Sequence, residues 1–347
     1  MPSRDAPAAT SQSPTRNRQH EALVARARTT RIHNTARIVG LDQLQLFISL
    51  ATVNPVIGHA VQDLTLSLPL HIGYPAQAVR ECLRLTPNLD TLMLVLPDFS
   101  PSTIISGTLL PRLRTFATNL PHRALPVFLA LHPSVTSLAL ESCGGRTRCP
   151  LRDLNLSQVS DLSCPARCLE GIARGQVAMA TVNLTRLASM AALAIQALST
   201  SPLYLLCINF FSDDYDILAR IVAAAPRLRK LKLVEKPRAQ RRFHHARRPW
   251  NDLQEWHRLL MRLPFLEEFM LRTSASISSP RRSEQAVVTI WANGTNHGAR
   301  HPNLYHISIL QQGPDADAQP LSHYFRRHGT WQRVNEALVN AAHSFTM

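Results

Sequence analysis

Glycine is scarce in this chain, 12 in 347 residues, and neither G-x-G-x-x-G nor a Walker A pattern occurs. The phosphate-cradling loops of dinucleotide and nucleoside-triphosphate enzymes need such glycines for close backbone approach, so those classes are not indicated. Cysteine is equally sparse: six residues scattered over so long a chain do not make a disulfide scaffold. Apolar stretches such as "LASMAALAIQAL" fall well short of the roughly 20 residues that cross a bilayer. No apolar core follows the N-terminal arginines as it would in a signal peptide, so a reducing compartment, cytoplasm or nucleus, is expected and a membrane is not. There is no G-x-S-x-G elbow and no H-E-x-x-H helix, and an enzyme is not expected.

What is present is a repeated phrase. "PNLDTLMLVL" at residues 87–96 returns as "PRLRTFAT", "PSVTSLAL", "PRLRKLKL", "PFLEEFML" and "PNLYHISI". The frame is L-x-x-L-x-L, opened by a proline two residues upstream. Units start at Val61, Leu89, Leu113, Val135, Leu151, Met179, Leu203, Leu228, Leu266 and Leu304. Period two inside each frame reads as a short strand with its fourth and sixth positions on one face. Before the strands lie one-sided helical segments, among them "PAQAVRECLRLTP", "DYDILARIVAAAP" and "NDLQEWHRLLMRLP". Pro87, Pro111, Pro133, Pro226, Pro264 and Pro302 mark the places where helix gives way to strand. The predicted fold is therefore α/β, a leucine-rich-repeat-like solenoid or horseshoe of about ten irregular strand-helix units. A doubly wound α/β enzyme is the rival, and the missing glycine-rich turn disfavours it.

The stretch "LDQLQLFISLATVNPVIGHAVQDLTLSLP", with the later "PRLRTF" and "PRLRKLKL" units, resembles the fungal F-box-type leucine-rich-repeat proteins, especially those of mushroom-forming fungi. That resemblance covers about residues 38–315. It implies the substrate-recognition part of a ubiquitin-ligase receptor. The N-terminus, "MPSRDAPAATSQSPTRNRQHEALVARAR", is polar and arginine-rich where the family has its F-box. The element that would couple the chain to a ubiquitin-ligase adaptor is thus missing from this reading.

The domain expectation is a disordered basic segment over 1–37, a repeat domain over 38–315 and a capping helix within 316–347. The helix is predicted over residues 321–343, "LSHYFRRHGTWQRVNEALVNAAH". Net charge is +15, and 14 of these charges fall in residues 1–40 and 227–248. The second segment carries a basic insertion loop at 236–249 with Lys236, Arg238, Arg241, Arg242, Arg247 and Arg248. A solvated loop, a nuclear-localisation signal and a nucleic-acid patch all fit that loop, although only Phe243 and Trp250 supply aromatic interleaving.

Outward-pointing strand residues define the candidate binding face: Asp153, Asn155, Ser157, Thr181, Asn183, Thr185, Asn209, Lys230, Lys232, Glu268, Arg272 and His306. Mostly uncharged polar groups with a charged patch suit recognition of a folded protein, which is the expected partner. A nucleic-acid-associated or nuclear protein using the two basic segments is the alternative. Cys143, Cys149, Cys164 and Cys168 form a C-x5-C-x14-C-x3-C series that could hold a tetrahedral zinc. Its spacing is looser than the two-residue knuckles of zinc ribbons, so neither a metal nor another cofactor is expected.

Overall fold

The structure is a computed structural model of the chain. It describes residues 34–68, 76–97, 100–101, 103–144, 148–184, 188–236, 248–295, 299–311 and 321–334. Thirteen strands form one sheet in strict sequence order. They are β1 (Thr35–Val39), β2 (Asp63–Ser67), β3 (Thr91–Val95), β4 (Thr115–Thr118), β5 (Ser137–Leu140), β6 (Asp161–Pro165) and β7 (Met179–Asn183), followed by β8 (Leu205–Phe211), β9 (Lys230–Lys236), β10 (Glu268–Thr273), β11 (His306–Gln311), β12 (Ser322–Arg327) and β13 (Thr330–Val334). β1 to β11 are parallel, and β12 and β13 close the end antiparallel.

The strand order never reverses, whereas a doubly wound sheet turns back at a switch point with helices on both faces. Burial points the same way. Along most repeat strands fully buried residues alternate with partly exposed ones, as in the iBiBi pattern of β2 and β7, while β8 and β11 each bury three in a row. Parallel sheets covered on both faces read as continuous apolar runs. Here one face packs under the helices and the other stays open. This is a leucine-rich-repeat-type solenoid.

Each unit adds two inward residues to the core, such as Leu64 and Leu66, Leu92 and Leu94, or Leu231 and Leu233, all nearly inaccessible. Burying a leucine contributes about 1.5–3 kcal/mol, so each added unit is stabilised mainly by its neighbours. A recurring backbone staple sets the register. At the start of each strand from β2 to β11, two successive N–H groups donate to one carbonyl of the preceding unit. Asp90 and Thr91 N–H reach Gln62 O at 2.8 and 3.0 Å, and Arg229 and Lys230 N–H reach Tyr204 O at 2.8 and 2.9 Å. Two buried histidines bridge units in a similar way. His132 donates from Nδ1 to Phe128 O (2.6 Å) and accepts at Nε2 from Leu110 N–H (2.9 Å). His301 accepts at Nδ1 from Leu304 N–H (3.0 Å) while Nε2 faces Leu260 O and Leu263 O.

Four expectations are corrected. β1 is an eleventh parallel unit, so the repeat domain begins before residue 38 and the N-terminal segment ends earlier; residues 1–33 lie outside the described residues. The fifth unit is not the one framed by Leu151, Leu154 and Leu156. That stretch is turns, and the strand lies at Asp161–Pro165 with Leu162 and Cys164 inward. Both stretches offer three correctly spaced apolar residues, but only the second receives the staple, with Ser160 and Asp161 N–H on Thr136 O at 2.9 and 3.1 Å. In β7 the inward residues are Ala180 and Val182, so Met179 points outward and is not the frame's first apolar position.

The fourth correction concerns the C-terminus. Residues 322–334 form a hairpin and not a helix. Its two-residue loop, His328 (φ 49°) and Gly329 (φ 81°), has positive φ at both positions. That conformation matches the twist of paired strands. Tyr324 and Trp331 point into the core, and β12 covers the edge of β11. Residues 335–343 of the expected helix lie outside the described residues.

Candidate functional site

The parallel register lines the outward residues into columns across the open face. One column runs Thr91, Thr115, Ser137, Asp161, Met179, Leu205, Lys230, Glu268, His306. The next runs Met93, Ala117, Ala139, Ser163, Thr181, Cys207, Lys232, Met270, Ser308. Thr181, Asn183, Asn209, Lys230, Lys232, Glu268, Arg272 and His306 therefore occupy outward strand positions as expected. Asp153, Asn155 and Ser157 do not. They sit in the turns before β6, because the strand starts later, and Asp161 and Ser163 take their place. Thr185 lies outside the described residues.

The charged part of the face is preorganised. Lys230 Nζ is 2.8 Å from Glu268 Oε1, and Tyr305 donates its hydroxyl to the same oxygen at 3.0 Å. Burial pushes the Glu268 carboxyl up. Hydrogen bonds from Lys230 and Tyr305, with the charges of Lys230 and His306, outweigh it and leave the group below its ordinary range. Burial and the Glu268 carboxylate push the Tyr305 phenol up to about 12. A shallow depression of about 200 Å³ lies over this patch, lined in part by Cys207, Lys232, Met270 and His306.

His306 is fixed by the terminal hairpin. Its ring stacks on Phe325, with centroids 4.3 Å apart and planes within 2°. Ser308 Oγ lies 2.8 Å from His306 Nε2 and 3.0 Å from His323 Nδ1. The sequence reading missed Ser308, His323, Phe325, Tyr305, Cys207 and Met270. The only signal for His323 and Phe325 was the alternating pattern on either side of "RRHGTW", which marks a tight hairpin. On the neighbouring strands, Asn209 Nδ2 donates to Asn183 Oδ1 at 3.3 Å.

The basic loop is described only at its two ends. Lys236 Nζ donates to Leu184 O at 2.7 Å. Arg248 pairs with Glu235 at 3.2 Å; the Glu235 side chain is almost wholly buried and that of Arg248 mostly so. Glu235 also accepts from Thr273 Oγ1 (2.7 Å), Ser274 N–H (2.9 Å) and Ser274 Oγ (3.1 Å). Trp250 is core, edge-on to Phe210 and Trp256 at 6.0 and 6.3 Å, and cannot stack on a base. Arg238, Arg241, Arg242 and Arg247 lie outside the described residues.

Of the cysteine series, Cys143, Cys149 and Cys168 come together around His122, with all four ligand atoms within 4.8 Å of one another. Cys164 is not in that group; it fills an inward strand position in β6.

No family model matches the sequence, and no curated protein gives a significant match. Among solved structures the chain is similar to the leucine-rich repeat-containing protein LegL7 from Legionella pneumophila. Identity is 14%, the TM-score is 0.49, and the match covers 82% of this chain and 92% of that one. Among the described residues no helix is long and apolar enough to cross a membrane.

Proposed function

We propose that the chain is a non-enzymatic scaffold that holds a folded protein partner across the open face of β7 to β11. The carrying observation is that face itself: a parallel sheet left uncovered on one side, with outward side chains fixed in columns by register. At its C-terminal end it offers a carboxylate, two ammonium groups, an imidazole and apolar Met270 and Leu205 together, the mixture that protein interfaces use. The finer reading, similarity to the substrate-receiving repeat domain of F-box proteins, rests on the sequence resemblance alone and belongs to this proposal. The nucleic-acid alternative is weaker, because Arg248 is neutralised by Glu235 and Trp250 is buried.

The test places a photo-crosslinking residue at Met270 on the open face, or at exposed Leu193 on the opposite side, in the tagged chain in its native cells. One discrete protein crosslinked at Met270 but not at Leu193, and surviving a high-salt wash, supports the reading. Nucleic acid alone, lost as salt rises, sinks it, since binding through phosphate contacts weakens steeply with salt.

A further inference from the structure

His122, Cys143, Cys149 and Cys168 come from separate segments of chain that meet beyond the C-terminal ends of β4, β5 and β6. His122 opens the 3-10 turn His122–Ala124 after β4, Cys143 follows β5, and Cys168 ends the 3-10 turn Ala166–Cys168 after β6. Cys149 lies on the connection that approaches β6. Two features hold the first pair together. His122 N–H donates to Cys143 O at 3.2 Å. Gly144 takes φ 64°, and a Cβ there would come within 2.8 Å of Pro121 Cβ, so only glycine lets these two loops meet so closely.

The polar chemistry of the buried imidazole points at sulfur. His122 is fully buried, as is Cys168, and Cys143 nearly so. Nδ1 lies 3.2 Å from Cys149 Sγ and 3.7 Å from Cys168 Sγ. Nε2 has no hydrogen-bond partner among the described residues. Zinc bonds of about 2.3 Å to sulfur and about 2.05 Å to nitrogen, at tetrahedral angles, require N···S separations of about 3.6 Å and S···S of about 3.8 Å. The observed separations bracket the first value, and every pair lies close enough to reach these values with small shifts.

We infer that these four residues form a closed Cys3His site for a structural zinc ion. Three thiolates and an imidazole are the soft donor set that selects zinc over the oxygen-seeking cations, and four protein ligands leave no open position for catalysis. Cys149, the one ligand that is only half-buried, is the point of entry. The position in the fold supplies a reason. Beyond the 3-10 turns, the connection from β4 to β5 carries only the six-residue α-helix Pro126–Leu131, and that from β6 to β7 only the four-residue α-helix Leu169–Ile172. Between β5 and β6 the described residues hold no helix. The ion ties together three consecutive units in a part of the array where the helix layer is thin.

The test uses the full chain purified under reducing conditions. Zinc content is measured first; the metal is then stripped with a chelator and cobalt(II) is titrated in. The variants are Cys149→Ser and Cys207→Ser, the second outside the group. One zinc per chain in the wild type and in Cys207→Ser, the visible absorption of tetrahedral cobalt thiolate, and at least about tenfold weaker uptake in Cys149→Ser are expected. The metal-free wild type should also melt at a lower temperature that zinc restores, a readout that stands even if Cys149→Ser fails to fold. A reduced, folded wild type that takes up no cobalt overturns the inference. So does equal uptake by Cys149→Ser and the wild type.

Discussion

The middle and the C-terminal parts of the array solve the same packing problem differently. Strand starts at Thr115, Ser137, Asp161 and Met179 are 22, 24 and 18 residues apart, while those at Leu205, Lys230, Glu268 and His306 are 25, 38 and 38 apart. The longer units carry full helices, Leu253–Met261 and Glu284–Asn293, each opened by a side-chain cap: Asp252 accepts from Glu255 N–H and Ser283 from Ala286 N–H. Beneath them Trp256 packs on Trp291 and Phe269 at 5.2 and 5.9 Å. The shorter units bury a smaller layer, with Phe116 on Phe128 at 4.9 Å as its aromatic pair, and also bring cysteines and a histidine together. A repeat can thus be held by bulk burial or, on the zinc proposal, by a local cross-link, and the open face differs between the two parts as well. Over the middle units it carries mostly small hydroxyl residues and alanine, with Asp161 and Met179 the exceptions, and over the long ones more charge and larger side chains.

The largest effect should come from cutting the aromatic layer. Trp256→Ala should cost about 3–5 kcal/mol in urea denaturation, because the cavity cannot collapse among such large neighbours. Each unit leans mainly on the next, so hydrogen exchange should rise over β9 to β11 well before β3 to β5. Equal loss everywhere would show the array to be one cooperative block and would break the comparison. Next comes the buried pair at the root of the basic loop. Arg248→Ala leaves Glu235 charged and enclosed, and should destabilise by about 3 kcal/mol on the same scale. A cost near zero would mean that water reaches the carboxylate.

The interunit histidines give a smaller, pH-dependent effect. Burial holds the imidazoles of His132 and His301 below their ordinary range, despite bonds to backbone carbonyls. The unfolded chain therefore takes up protons first. Stability is full above the unfolded value of about 6.5 and falls as pH drops below it. The denaturation midpoint should decline between about pH 6.5 and pH 5, and the decline should shrink in His132→Gln. A midpoint flat across that range would contradict the neutral bridging role. Smallest in stability is the reversal of Lys230 and Lys232 to glutamate. These side chains are partly exposed, so the cost should stay below about 1 kcal/mol. Partner capture should nevertheless be lost, and unchanged capture would remove this patch from the binding face.

How much was legible turns on particular residues. Strands β3, β4, β5, β9, β10 and β11 each start four residues after Pro87, Pro111, Pro133, Pro226, Pro264 and Pro302. At the two units where the register slipped, β6 and β7, that position holds Ser157 and Gly175. Pro150 stands directly before "LRDLNL", and the residues from Val159 carry the same apolar spacing; the staple on Thr136 O and the pairing of Asp161 with Ser137, whose hydroxyl donates to the aspartate at 2.9 Å, separate them. The terminal hairpin was missed because helical spacing in "YFRRHGTWQRV" competed with a two-residue loop whose positive φ values are invisible to periodicity.

The sequence by itself determined the repeat, the one-sided strands and the outward placement of Lys230, Lys232, Glu268 and His306, because those follow from local spacing and period two. Only the tertiary structure decided which stretch becomes β6, that Phe325 and His323 hold His306, and that His122 joins three cysteines. Each of these depends on residues up to dozens of positions apart meeting through backbone pairing, and no local pattern encodes that distance.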